Sequence, residues 1–245
     1  MYPLRLAWAR NADALILYDS ERLAWFTERG IAPEKLFLAW NSVDTDRIAS
    51  LAQDWSASRR YRVLYTGRLI AQKKVDLLLR AFALAAPGLP CEARLTMIGA
   101  GPEAAALRGL AENLHILGRT DFVGQVTDEA VLAPYFNTSR MSVSAGGVGL
   151  ALIHTMAYGV PMLVADHEPH GPEFSALVPE VNGLLFPSDD CEALAHLLVQ
   201  AFAGGLALAG MSQAARSTVA TRYSLGAMVD AFNAAVAYVC SRETQ

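Results

Sequence analysis

Four short stretches of this sequence carry residue types that could do chemistry. The first is Tyr65-Thr66-Gly67-Arg68-Leu69, followed by Gln72-Lys73-Lys74. Lysine is scarce, supplying three of the 20 basic residues, so two adjacent lysines mark this place. Gly67 permits a turn where a side chain would block close approach. Arg68 and Lys73 beyond it suit a diphosphate, each ion pair at ~4 Å being worth roughly 4 kcal/mol at an effective dielectric of 20 before desolvation. A solvated basic turn is the plainer reading of the same residues. The second stretch, Gly99-Ala100-Gly101-Pro102-Glu103-Ala104, fits the dinucleotide pattern G-x-G-x-x-A, with Asp121 downstream as the ribose acid. Pro102 at the first helical position, and a place after the second strand of the sheet, speak instead for a tight strand-to-helix turn.

The third stretch, Ser144-Ala145-Gly146-Gly147-Val148-Gly149-Leu150, is the strongest local signal. A strand running into three glycines and then a helix presents bare backbone N–H groups, which is an anion site. His154 falls one turn into that helix and faces either the same ligand or the core. The fourth, Asp166-His167-Glu168-Pro169-His170-Gly171-Pro172-Glu173, invites a metal reading. Its spacing matches no helix-borne pair such as H-E-x-x-H, and two prolines make it an extended polar loop at the edge of a cleft. Glu173 there would charge a helix start.

These stretches need a scaffold, and the hydrophobic pattern supplies one. Short apolar runs fall at 62–66, 93–98, 120–124, 140–144, 161–165 and 183–186. Between them lie helical patterns at 75–86, 130–136, 150–158 and 191–203, apolar at three- and four-residue spacing. Alternation of this kind predicts βαβ units, hence an α/β fold with a doubly wound, Rossmann-like parallel sheet. The right-handed crossover leaves few topologies, and ligands bind at the carboxyl edge of such sheets. That domain is expected over residues 58–222, with a terminal amphipathic helix within 223–245. Residues 1–57 offer two strands (14–18 and 36–40), a helix at 21–29 and a turn at Asn41–Asp44. They read as an incomplete α/β piece and hinge, with Gln53–Arg60 as a linker.

Composition narrows the functions. At 245 residues the chain can bury a core without staples. With 53% apolar and 18% charged residues it is not disordered. A net charge of −4 argues against a phosphate-backbone binder, so no nucleic-acid partner is expected. The cysteines, Cys91, Cys191 and Cys240, are odd in number, far apart and without a CxxC, so neither a disulfide framework nor a zinc site is indicated. Free thiols and no leader pattern at the start indicate a cytoplasmic chain, with association at the inner membrane face left open. The uncharged stretches 141–165 and 193–215 are broken by Gly, Ser, His or Gln. They read as strand–helix–strand and as two Ala-rich helices, not as membrane spans.

Taken in order, GRL-x3-K (Gly67 to Lys73), IGAGPE (Ile98 to Glu103), FVGQV (Phe122 to Val126), GVGL (Gly147 to Leu150), MAYGVP (Met156 to Pro161) and NGLLF (Asn182 to Phe186) resemble the donor-binding, C-terminal half of group-one (family four) GT-B glycosyltransferases. The resemblance covers residues 58–240, and the NSVD turn resembles the N-G-V-D that ends that family's N-terminal domain. It implies a nucleotide-diphosphate sugar as donor, no cofactor or metal, retaining transfer, and a glycan or lipid-linked acceptor. By motif match, Arg68 and Lys73 neutralise the departing diphosphate, the backbone from Gly146 through Gly147, Val148 and Gly149 to Leu150 cradles the phosphate or sugar, and Val123 and Gly124 lie beside the base.

Two departures stand out. The family's E-x7-E carboxylates are here Gly146 and His154, so His154 is left for the ribose and sugar recognition falls to His170 or Glu173. Most of the acceptor domain is also missing. That implies a partner, either a separate N-terminal half or a second copy. A non-catalytic interaction subunit of a split enzyme is the alternative, and an NAD-dependent oxidoreductase is the remaining one.

Overall fold

The computed structural model describes residues 2–243. The chain begins α1 (Tyr2–Asn11), β1 (Leu15–Leu17), α2 (Ser20–Thr27), β2 (Leu36–Leu38) and α3 (Thr45–Leu51). It continues β3 (Arg62–Thr66), α4 (Val75–Ala85), β4 (Arg94–Ile98), α5 (Ala104–Asn113), β5 (Thr120–Gly124) and α6 (Glu129–Asn137). Then come β6 (Ser139–Ser144), α7 (Leu150–Ala157), β7 (Met162–Ala165), β8 (Gly183–Phe186), α8 (Cys191–Ala203), α9 (Leu208–Arg222) and α10 (Leu225–Glu243).

Strands β3 to β8 form one sheet in the order β5-β4-β3-β6-β7-β8, and every pairing in it is parallel. The chain winds outward from β3 through β4 to β5, then returns to lay β6 on the other side of β3. The crevice between the carboxyl ends of β3 and β6 is therefore the topological switch point of a doubly wound sheet, where ligands bind.

Period-two alternation builds both faces. Val63, Tyr65, Leu95, Met97, Met141 and Val143 point to one side, against Leu78, Leu79 and Phe82 of α4 and Leu194 and Leu198 of α8. Leu64, Ile98 and Val160 point to the other, against Ile48 of α3 and Phe136 of α6. On that side Met162 and Val164 meet Leu152 and Met156 of α7 and Ala215 and Val219 of α9. Helix starts are set locally. The Asp190 carboxylate accepts from Ala193 N at 2.8 Å and Asp19 from Arg22 N at 2.6 Å, which satisfies amides that have no intrahelical acceptor.

Some elements differ from expectation. Asp44, read as part of a turn, also caps α3, accepting from Arg47 N at 3.0 Å. Gln53–Arg60 is pinned, not a free linker. Arg60 is buried, donates to the Ser139 carbonyl at 2.7 Å and lies 4.3 Å over the Trp55 ring, while Gln53 N donates to Asn137 Oδ1 at 2.9 Å. The uncharged stretch 141–165 folds as β6, α7 and β7, and 193–215 lies within α8, α9 and their connection. Among the described residues one helical run, Leu208–Arg242, is long and apolar enough to cross a membrane by length and composition. It comprises α9 and α10, and α9 buries Met211, Ala215 and Val219 in the core.

Residues 2–38 form a small layer of their own. β1 and β2 pair in parallel, Leu15 beside Leu36, over a cluster of Ala9, Leu17, Ile31 and Leu36. α10 returns from the far end of the chain to cover them, with Phe37 and Tyr238 rings 5.5 Å apart.

Candidate functional site

Two loops meet at the switch point, and glycine lets them meet. A Cβ on Gly146 would overlap the Gln72 carbonyl oxygen and lie 2.8 Å from Lys73 Cα, so the loop after β6 packs backbone to backbone on the loop after β3. Lys73 Nζ donates to the Gly147 carbonyl oxygen. The bend after β3 is braced from below, where Tyr65 OH donates to the Arg68 carbonyl at 2.8 Å. Burial, together with the neighbouring Arg68 charge, pushes the Lys73 ammonium below its ordinary value. Arg68 is exposed. Gly149 then caps α7 without a side chain; Leu152 N donates to the Gly149 carbonyl at 2.9 Å, and the amides of Leu150 and Ala151 before it lack intrahelical acceptors at the same rim.

The loop after β7 closes the other side. Gly171 N donates to the Val148 carbonyl at 2.7 Å, and Val148 N donates to His170 Nδ1 at 3.2 Å. His170 is thereby held with its proton on Nε2, its ring stacked on Phe174 at 3.9 Å. Burial lowers its pKa against the pull of the Ala165 and Asp166 carbonyls, so it is neutral at pH 7. Glu173 is buried, its Oε1 accepts from Asn41 Nδ2 at 2.6 Å, and Gly149 has room for a Cβ 3.6 Å from its Oε2. Lys74 ties the same loop to the β3 side through Glu168 at 2.6 Å and also pairs with Asp189, beyond β8, at 2.8 Å. Beyond this loop a cleft of about 670 Å³ opens between Pro169, His170 and Phe174 on one wall and Asp19, Arg22 and Trp25 of the N-terminal layer on the other.

The loop of the fourth stretch does not gather metal ligands. His167 pairs with Asp166 at 2.7 Å, while Glu168, His170 and Glu173 turn to Lys74, Val148 and Asn41. Among the described residues no group of three or more His, Cys, Asp and Glu is placed to hold a metal ion. The G-x-G-x-x-A stretch is likewise structural. A Cβ on Gly99 would lie 2.9 Å from the Gly67 carbonyl carbon and one on Gly101 2.6 Å from that of Leu69, so these glycines seat the first loop. Asp121 is committed to Arg94 at 2.5 Å and Arg62 at 2.7 Å. Neither glycines nor acid are left for a dinucleotide.

Gly67, Arg68, Lys73, Gly146 to Leu150, His170 and Glu173 thus come together around the switch point. Val123 and Gly124 lie at the end of β5, two strands away, where the Gly124 carbonyl accepts from Gly99 N at 2.8 Å. Val123 packs against the apolar cluster that holds Phe136 and Tyr158, and His154 lies against the Phe136 ring at 4.7 Å. His154 Nε2 is 2.9 Å from Glu129 Oε1, which also accepts from Tyr158 OH at 2.7 Å. Burial alone would raise the Glu129 pKa, but these two donors and the charge of Arg47 hold it below the ordinary carboxylate value. Sequence reasoning missed Glu129. Its only signal was an acidic first turn directly after the FVGQV loop.

A family described as glycosyl transferases group 1 matches residues 60–203. The lipopolysaccharide core biosynthesis glycosyltransferase LpsE of Rhizobium meliloti (strain 1021) is 26% identical over 242 residues, covering 94% of this chain and 66% of LpsE. A mutant of S. aureus TarM, solved with Fondaparinux, alpha-GlcNAc-glycerol and UDP, superposes with a TM-score of 0.73 at 16% identity, covering 94% of this chain and 45% of TarM. Anabaena Alr3699/HepE, solved with UDP and glucose, gives 0.70 at 17% identity, covering 97% of this chain and 67% of HepE. The chain therefore spans from under half to about two thirds of the length of these proteins.

Proposed function

Because the chain belongs to the group 1 glycosyl transferases, we propose that it binds the nucleoside-diphosphate sugar of a glycosyl transfer and supplies the donor side of the reaction. The observation that carries this is the direct seating of the Lys73 loop on the Gly146–Gly147 loop at the switch point. The Lys73 ammonium, the nearby Arg68 charge and the start of α7 lie together at that rim, a combination that suits a diphosphate. As the glycosyl bond breaks, negative charge grows on the leaving diphosphate, and Arg68 and Lys73 stabilise it. Charge stabilisation of this kind is commonly the largest catalytic contribution. In this reading the transfer is retaining and metal-independent, the two side chains providing the charge. The acceptor is a glycan or lipid-linked glycan, entering by the cleft beside His170 and Phe174. The name of LpsE and the glycans bound to TarM support that class.

The exposed Leu4 and Trp8 of α1 and Val229 and Val236 of α10 offer apolar surface to a partner. The reading assigns that surface to a further α/β half or a second copy of this chain.

The test is a thermal-shift panel of UDP-, GDP- and ADP-sugars, repeated with Arg68→Ala and Lys73→Ala. A ligand at a hundred times its Kd stabilises by about 2.7 kcal/mol, and the reading expects one base series to do so and both variants to lose most of the shift. No shift with any series, or a shift unchanged by both variants, overturns it.

A further inference from the structure

Lys74 follows Lys73 directly, yet the two side chains diverge. Lys74 precedes α4 with φ 48° and ψ 41°, a left-handed conformation that a residue with a Cβ seldom adopts. Its N–H closes the turn by donating to the Ala71 carbonyl at 3.0 Å. Lys73 Nζ reaches the Gly147 carbonyl in the loop after β6. Lys74 Nζ reaches Glu168 Oε1 at 2.6 Å, after β7, and both oxygens of Asp189 at 2.8 and 3.0 Å, after β8. Two adjacent residues thus hold three loops of one rim.

The clamp is strained and partly dry. Asp189 is also left-handed, at φ 64°. The Glu168 side chain keeps only 5% of its exposure, and a buried carboxylate that loses its cation is left uncompensated. Backbone strain of this kind persists only where the surroundings over-determine it, and it gathers at functional sites. The contacts also close a circuit around the Lys73 ammonium. Lys73 meets Gly147, the Val148 backbone meets His170 and Gly171, and Glu168 of that same loop meets Lys74, which a peptide bond joins back to Lys73.

We propose that Lys74 is a positioning residue of the diphosphate site: clamped by Glu168 and Asp189, it holds the turn in the left-handed shape that aims Lys73 at the rim. This rests on the nucleoside-diphosphate reading above and adds what orients its central cation. Lys74 itself does not touch the ligand.

The experiment is calorimetric titration of the full chain with UDP, GDP and ADP, repeated with Lys74→Met, Lys74→Gly and Glu168→Gln at a temperature where melting curves show each protein folded. Lys74→Met removes a positive charge and Glu168→Gln a negative one. A lysine acting on the ligand by charge alone would give weaker binding in the first and tighter binding in the second. Positioning predicts weaker binding in both, by at least about fivefold for the preferred nucleotide, where a merely structural bond would lower melting and leave affinity unmoved. Lys74→Gly should recover part of the loss seen in Lys74→Met, because glycine adopts the left-handed turn without steric cost. Wild-type affinity in both Lys74→Met and Glu168→Gln, or tighter binding by Glu168→Gln, overturns the assignment of Lys74 while the donor reading stands. If the wild-type chain binds no nucleotide, both fall. Glu168→Gln leaves every atom of Lys74 in place, so a poorly folded Lys74→Met protein leaves the question decidable.

Discussion

Asn41 Nδ2 donates to Glu173 Oε1 at 2.6 Å across 132 residues of sequence, joining the turn that ends the N-terminal layer to the loop that closes the candidate site. Glu173 is buried, so this bond sets the position of the loop. Replacing Asn41 with Ala removes the described donor to that carboxylate. The expected cost is about 1–3 kcal/mol, which lowers Tm by roughly 2–4 °C per kcal/mol in a chain of this size. Asn41→Asp should cost more, because it faces one carboxylate with another, and should recover in mild acid. Equal melting of all three proteins at pH 7 would contradict this account.

Gly146 stands where the resembled family carries a carboxylate, and the fold explains why one cannot simply be restored. The Gln72 and Lys73 backbone occupies the space a side chain needs. Gly146→Ala is expected to cost about 1–3 kcal/mol through overpacking, and Gly146→Glu should weaken nucleotide-sugar binding instead of improving it. Paired melting and titration experiments check this. Tighter donor binding by Gly146→Glu would show that the loops part more easily than their packing implies.

Asp121 tests the structural reading of the second glycine stretch. Arg94, with help from Arg62, holds its carboxyl below the ordinary carboxylate range against the opposing effect of burial. The stabilisation from this depressed pKa is complete above the unfolded value, about 3.9, and is lost as pH falls through the lower folded value. Asp121→Asn should therefore melt lower than wild type at pH 7, with the gap closing below about pH 3. Nucleotide binding should be unchanged. A variant that binds nucleotide differently but melts normally would return Asp121 to the site.

Much of this was legible because periodicity and glycine punctuation are strong local signals. The runs at 62–66, 120–124 and 183–186 coincide with β3, β5 and β8, and the helical pattern at 191–203 with α8. The two loops at the switch point were found from Gly67, Lys73 and Gly146-Gly147, since each follows a strand and breaks it. Glu129 and Asn41 were not assigned roles, for a common reason. Each acts through a partner distant in sequence, His154 for one and Glu173 for the other, and no local pattern encodes such a meeting. α3 was missed because seven residues with a single buried apolar anchor, Ile48, are too few to show a helical period.

Lys73 and Arg68 give the sharpest pH test of the phosphate assignment. Burial, with the charge of Arg68, holds the Lys73 ammonium below its ordinary value in the free protein. A bound pyrophosphate favours the charged form, so its affinity should fall as pH rises through that lowered value, by up to tenfold per pH unit. Arg68→Ala removes one of the two causes. It should bind pyrophosphate more weakly at pH 7, yet begin its alkaline loss at a higher pH than wild type. Titrations of inorganic pyrophosphate from pH 7 to 10 on both proteins read this directly. An alkaline loss at the same pH in both would mean that the two cations do not share one field, and the diphosphate site would then have to be sought elsewhere on the rim.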